Sequence, residues 1–245
     1  MSIRVTGATA ARVLAQLRRD PRTIALLLVI PPALLTLLKF VFDQNPASFQ
    51  RIGGPLLGLF PFITMFLATS ITMLRERTTG TLERLMTMPL AKLDLLGGYA
   101  IAFGLVAAAQ AALVSVIGFV FLDLDSGHSD LLVVLLAIGN GLLGMSIGLL
   151  SSAFASTEFQ VVQFMPAFVL PQLLLCGLFQ PRDEMAPALE TVSDVLPLTY
   201  AYDALLRAAG TGELGSRFTL DVVVLVGSTL LALVLGAATL RRRTP

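Results

Sequence analysis

Apolar residues gather along the chain in six long runs separated by short polar stretches, with none of the strict alternation of a half-buried strand. The runs cover residues 23–42, 55–74, 95–122, 131–154, 159–179 and 222–240. Each is about 19 to 28 residues long, enough for a helix rising 1.5 Å per residue to cross about 30 Å of hydrocarbon. Lipid offers no partner for an unpaired backbone group, so helices are the expected form; the short alternating segments of a β-barrel are missing. The second to sixth runs hold no charged residue, and the first holds only Lys39 near its end. The pattern predicts an all-α polytopic membrane protein with six transmembrane helices.

Composition agrees. The chain is 56% hydrophobic and 13% charged, with mean hydropathy +0.84, where soluble domains are roughly half apolar and a quarter charged. A net charge of +1, with no basic cluster interleaved with aromatics, gives no reason to expect a nucleic-acid partner. Cys176 and His128 are each the single residue of their kind, which excludes an intrachain disulfide and a Cys-based zinc site. The first twenty residues carry Arg4, Arg12, Arg18 and Arg19 and no apolar core, so a secretory signal is not expected and the first span serves as an uncleaved anchor.

Basic residues set the expected orientation. With six spans both termini share one side. That side receives Arg4, Arg12, Arg18, Arg19, Arg22, Arg75, Arg77, Arg84, Lys92 and Arg241 to Arg243, against Lys39, Arg51, Arg182, Arg207 and Arg217 on the other. The termini are therefore expected in the cytoplasm of a cell-membrane protein. The connections then read as a polar cytoplasmic segment at 75–94, an acidic external loop at 123–130, a tight cytoplasmic turn at 151–158, and a long external segment at 180–221. Within the last, residues 185–209 alternate apolar and polar at helical spacing, interrupted by Pro187 and Pro197, which predicts short helices dipping into the outer leaflet.

Two segments read as amphipathic helices outside the spans. In residues 6–20, Val13, Leu14 and Leu17 share one face while Arg12, Arg18 and Arg19 point toward water or headgroups, and Pro21 ends the segment. A membrane-surface anchor and a contact for a cytoplasmic partner both remain open, the residues alone favouring the anchor. In residues 75–94, Gly80-Thr81 looks like a helix stop followed by a cap, and a short helix starts there. Leu82, Leu85, Met86 and Met88 form its apolar face before Pro89, and that face needs headgroups or a protein groove to cover it.

Inside the spans the polar residues are Gln110, Asn140, Gln160, Gln163 and Gln172. Such amides bond across helices, at about 1 kcal/mol or less each, or line a path. Phe164, Phe168 and Phe179 with Met165 offer an adaptable apolar wall. Gly144 and Gly148 permit close helix approach, and Pro166 and Pro171 are expected to bend the fifth span. Lys39 can snorkel. Asp123, Asp125, His128 and Asp130 read as a solvated loop rather than a metal site, and Glu158 as a helix N-terminal charge.

The run Arg75-Glu-Arg-Thr-Thr-Gly-Thr-Leu-Glu-Arg-Leu-Met-Thr-Met-Pro89 resembles the first intracellular loop of the type-2 ATP-binding-cassette (ABC) exporter permeases, a group that includes daunorubicin-resistance-type drug exporters. Arg19-Asp20-Pro21, followed by an apolar run broken at Pro31-Pro32, is similar to that family's approach to its first span. Gly177-Leu-Phe-Gln-Pro181, then Met185-Ala-Pro187, then Pro197 to Leu206, is similar to its external re-entrant segment, with Ala186 standing between a Met and a Pro that are usually adjacent.

The resemblance covers most of the chain and implies a single permease domain over 1–245. Residues 1–22 would form a connecting helix, with Arg12, Leu14, Leu17 and Arg18 in it. Residues 75–94 would form a coupling loop in which Glu76, Thr81, Leu82, Glu83, Arg84, Leu85, Met86 and Met88 meet a separate ABC ATPase subunit. That ATPase would hold ATP and Mg, since no Gly-x-x-x-x-Gly-Lys-Ser/Thr loop occurs here. Two permease subunits, identical or paralogous, would pair in the bilayer and export a drug or lipid-like hydrophobic substrate. Gln110, Asn140, Gln163, Phe164 and Phe168 are the candidates for its path. A proton-coupled secondary transporter or an integral-membrane lipid enzyme are the alternatives. The first calls for an acidic or histidine residue within a span and the second for a nucleophile with its base, and neither pattern occurs.

Overall fold

The computed structural model describes residues 3–87, 91–210 and 214–239, apart from the side chains of Glu83 and Met86. Among them every regular element is helical: α1 (Ile3–Arg18), α2 (Pro21–Val41), α3 (Pro46–Thr78), α4 (Thr81–Thr87), α5 (Lys92–Val116), α6 (Asp130–Ser151), α7 (Glu158–Phe164), α8 (Leu170–Leu175), α9 (Pro187–Ser193), α10 (Pro197–Ala209) and α11 (Ser216–Thr239). Two of the long helices contain π-helical turns: Ile117–Phe121 continues α5, and Met165–Val169 joins α7 to α8. Six helical stretches are long and apolar enough to cross a membrane. The chain is a multi-pass membrane protein.

Helix ends follow local chemistry more closely than the apolar runs do. The second run covers 55–74, yet α3 starts at Pro46 and runs to Thr78. The Asn45 side chain accepts from Ser48 N–H, and Pro46 supplies a first-turn residue with no donor to satisfy. Arg51 therefore lies on a helix, and the polar stretch expected at 75–94 shrinks to α4 and its short flanks. The apolar run interrupted by Pro31-Pro32 is one helix: α2 continues through both prolines, and Thr36 Oγ1 donates to the Pro32 carbonyl at 2.8 Å. Pro187 and Pro197 do not interrupt helices but begin α9 and α10. Pro166 and Pro171 do mark the irregular point of the fifth span, where the π-turn sits.

The centre of the bundle is the pair α3 and α6. A Cβ at Gly144 would collide with the backbone of Phe62, and one at Gly148 would stand 2.5 Å from the Phe66 carbonyl oxygen. Helix axes approach this closely only where no side chain intervenes. Thr69 Oγ1 adds an interhelical contact at 3.1 Å to the Met145 carbonyl. Phe62, Phe66, Val133, Leu143 and Leu205 belong to a core cluster spreading toward one end. Val13, Met73, Leu95, Tyr99 and Phe103 belong to a second cluster at the end that carries α1.

The opposite end is tied by polar bonds. Lys39 reaches the Leu122 carbonyl at 3.1 Å and lies over the Phe49 ring. The Gln50 amide donates to Asp123 O at 2.6 Å and accepts from Asp125 N–H at 3.0 Å, clamping a loop in which Asp123 has φ +54°. Arg182 bridges Asp194 and Asp203 at 2.9 and 2.6 Å, and Arg207 reaches Asp221 at 3.1 Å.

Candidate functional site

At the α1 end, one face of α1 packs along α5. Thr6, Thr9, Ala10 and Val13 are buried, and Thr9 sits where a Cβ on Gly98 would stand. Leu14 and Leu17 are partly covered by the same core, while Arg18 and Arg19 remain exposed. Arg12 departs from the expected outward orientation. Its Nη1 lies 2.8 Å from Glu76 Oε1, and its Nη2 lies 3.2 Å from Glu76 Oε2 and 3.0 Å from Tyr99 Oη. One guanidinium therefore links α1, α3 and α5. Burial alone would weaken the Arg12 charge, but Glu76 and Tyr99 together more than offset that and hold its pKa above the ordinary range.

Glu76, expected at a contact surface, is instead 5% exposed, because the extension of α3 beyond the apolar run turns this residue inward onto α1. Tyr99, the third member, is not among the residues that sequence reasoning singles out. Its signal is faint: a tyrosine within an apolar run, close to its polar end, where a ring can be buried and its hydroxyl must find a partner.

Next to Glu76 opens a cleft of about 340 Å³ between α1, α3 and the start of α2, lined by Gln16, Leu17, Asp20, Ile71, Arg75 and Thr81. Asp20 caps α2, and its carboxyl is held below the usual range by the hydroxyl and N–H of Thr23. Arg75 pairs at 2.7 Å with Glu158, the first residue of α7. Glu158 is thus more than a helix N-terminal charge. The pair joins α3 to the fifth span at the same end.

Gly80 adopts φ +71° and turns the chain from α3 into α4. The apolar face of α4, expected to need an outside groove, is partly covered from within. Leu82 is buried against the α1-end core and Leu85 packs beside it, because the short turn at Gly80 folds α4 back under its own bundle. Thr81 is half-buried and Arg84 faces outward. Glu83 and Met86 lie in α4 with side chains that are not described, and Met88 lies outside the described residues.

The candidate path residues separate into two places. Gln110 and Asn140 have no exposed surface and lie inside the bundle. Gln110 Oε1 accepts from Thr64 at 2.8 Å, while neither Asn140 side-chain atom has a hydrogen-bond partner among the described residues. Neither faces an open path in this conformation. Gln163 and Phe168 are exposed on α7 and the adjoining π-turn, with Phe164 half-buried and edge-on to Phe168 at 5.5 Å between centroids. Gln163 thus presents an amide, with the exposed Gln160 one turn before it, beside the apolar Phe159, Val162 and Phe168.

Residues 4–209 match the family profile described as "ABC-2 type transporter". The chain belongs to that family. It is similar to the probable multidrug ABC transporter permease YbhR of Escherichia coli, 29% identical over 60% of this chain and 40% of that protein. It is also similar to the linearmycin resistance permease protein LnrN of Bacillus subtilis, 25% identical over 63% of this chain and 40% of that one. ABC transporter G family member 20 of Dictyostelium discoideum is 22% identical over 66% of this chain and 22% of its own length. The chain matches about two fifths of the length of its bacterial relatives. Within this ABC-2 type chain, the Arg12–Glu76–Tyr99 junction joins three helices through one guanidinium.

Proposed function

We propose that this chain is the transmembrane permease subunit of an ABC exporter, moving a drug or lipid-like hydrophobic compound out of the cytoplasm or the inner leaflet. The family match supports the transporter reading, and the names of the bacterial relatives support a drug-like cargo. The excess of basic residues at the α1 end supports a cytoplasmic position for that end. There α1 and α4, with Arg84 exposed and Glu83 beside it in the chain, form the face on which a separate ATPase subunit docks and supplies ATP and Mg. A second copy or a paralogue pairs through the α7–α8 face, because an exposed amide such as Gln163 is costly against lipid and gains a partner in a pair. Helices α9 and α10 are the re-entrant pair on the outer side.

The observation that carries this reading is the Arg12–Glu76–Tyr99 junction. Docked force on α1 reaches the spans α3 and α5 through the hydrogen bonds of half-buried Arg12 to buried Glu76 and Tyr99 rather than through a flexible connection. The test is purification of the tagged chain from native membranes in mild detergent, followed by ATP-dependent uptake of fluorescent hydrophobic cations and neutral drugs into inverted vesicles. The expected result is a co-purifying ATPase and nucleotide-dependent uptake, with Glu76→Gln retaining the ATPase but losing most uptake. A chain that purifies alone and shows no uptake with any candidate ATPase would refute the reading.

A further inference from the structure

The cleft beside Glu76 has a lining of two kinds. Leu17 of α1 and Ala68 and Ile71 of α3 are apolar, while Asp20, Arg75 and Glu76 bring charge. It lies where the chain enters the membrane, since Pro21, directly after Asp20, begins the first spanning helix. Its volume of about 340 Å³ falls at the lower end of the range for small-molecule sites, about 300–1,000 Å³. That suits a polar head and the first part of an apolar body rather than a whole lipid.

The three charges are not equivalent. Glu76 is engaged by Arg12, whose two Nη atoms reach its carboxylate. Arg75 is engaged by Glu158, through Nε at 2.7 Å and Nη2 at 3.1 Å. Asp20 has no cation within ion-pair distance among the described residues. Arg75 acts on it only through space, and Arg18, Arg19 and Arg22 beside it in the chain are exposed. Its hydrogen bonds come from the first turn of α2, chiefly Thr23 N–H at 3.2 Å and Thr23 Oγ1 at 2.7 Å. A carboxylate offers about four acceptor positions, so capacity remains. The same bonds keep the group ionised.

An ionised carboxylate without a counter-ion selects a cation, and the apolar lining selects one that carries an apolar body. An anion would face Asp20 and Glu76 with the nearest arginine already engaged. We propose that this cleft is a binding site for amphiphiles with an ammonium head, taken up at the membrane surface beside α1. Asp20 is the counter-ion, and Leu17, Ala68 and Ile71 lie against the apolar body. As a port for cargo the inference rests on the exporter reading; as a binding site it can be measured without transport. Glu76 lines the cleft and also holds Arg12, so an occupant lies against the α1–α3 contact.

The test uses the complete transporter in phosphatidylcholine nanodiscs near neutral pH without nucleotide, with empty nanodiscs as the background. The probes are a dansyl-tagged alkylamine and the alcohol of the same chain length. The amine is expected to bind about tenfold tighter than the alcohol. Asp20→Asn keeps the cap and removes the charge, so it should abolish that preference while the melting temperature holds. Ile71→Trp, which fills the cleft, should weaken both probes. Equal binding of amine and alcohol to the native chain overturns the proposal. So does a preference that survives Asp20→Asn, or undiminished binding to Ile71→Trp.

Two sources of such a head are then separated. Uptake of ammonium cargo that falls more than uptake of neutral cargo in Asp20→Asn identifies a port for cargo. Displacement of the amine by phosphatidylethanolamine, with both uptakes altered alike, identifies a lipid site. Loss of nucleotide-dependent uptake from the unmodified transporter overturns the exporter reading and leaves the binding result standing.

Discussion

Arg12 Nη1 and Glu76 Oε1 lie 2.8 Å apart across 64 residues of sequence, one at the middle of α1 and the other near the end of α3. Arg12 keeps 28% of its side-chain surface exposed and Glu76 only 6%. The pair is therefore asymmetric: loss of the arginine strands a buried carboxylate, while loss of the carboxylate leaves a cation that can still reach water.

Arg12→Ala should destabilise the chain by about 3 kcal/mol, within the range for breaking a buried pair. Glu76→Gln should cost less, because the amide still accepts from Arg12. The double replacement Arg12→Met with Glu76→Leu should recover most of the stability and none of the coupling. Thermal melts in detergent, read beside nucleotide-driven uptake, check this. Full recovery of uptake by the double variant would show the junction to be packing alone.

Gly144 and Gly7 predict opposite signs for the same change. Gly144→Ala drives a methyl into the Phe62 backbone, which no side-chain rotation relieves, and should cost about 1–3 kcal/mol. At Gly7 a methyl would meet no atom within 4 Å, so Gly7→Ala should gain up to about 1 kcal/mol in α1 from helix propensity. The readout is the midpoint of thermal unfolding, together with hydrogen exchange along α1.

Asp20 gives a pH dependence with a defined sign. Its folded-state pKa lies below the ordinary carboxyl value, so its capping contribution is complete above about pH 4. That contribution is lost as pH falls through the folded value. The melting-temperature difference between the native chain and Asp20→Ala should be flat from about pH 5 upward and shrink at lower pH. Asp20→Asn keeps a cap without a titrating group, so its melting temperature should lose this part of the acid response.

The α7–α8 face should cross-link between subunits. In a Cys176→Ala background, Gln163→Cys or Phe168→Cys should give an oxidised dimer on denaturing gels. Val234→Cys, on the exposed face of α11, should not. Cross-linking at Val234 with none at 163 or 168 would place the pairing elsewhere.

The six apolar runs and their helical form are legible from the chain alone, because a backbone in hydrocarbon has few ways to satisfy its hydrogen bonds and the runs match the thickness it must cross. The α4 turn at Gly80, the close approach at Gly144 and Gly148, and the irregular fifth span at Pro166 are legible for the same kind of reason: each depends on a residue and its immediate neighbours. The arrangement of Glu76, Arg12, Tyr99 and Asn140 is not. A charged residue beyond an apolar run reads as solvated, and only the continuation of α3 past Leu74 turns Glu76 toward a helix 64 residues away. An amide within a run reads as bonded across helices, and only the seating of Leu205 over Gly58 leaves Asn140 closed in without a partner among the described residues. Periodicity and length specify which face of a helix is apolar. Which distant helix covers a given polar group is set by three-dimensional packing, and that is where both the buried junction and the closed-in amide of this chain arise.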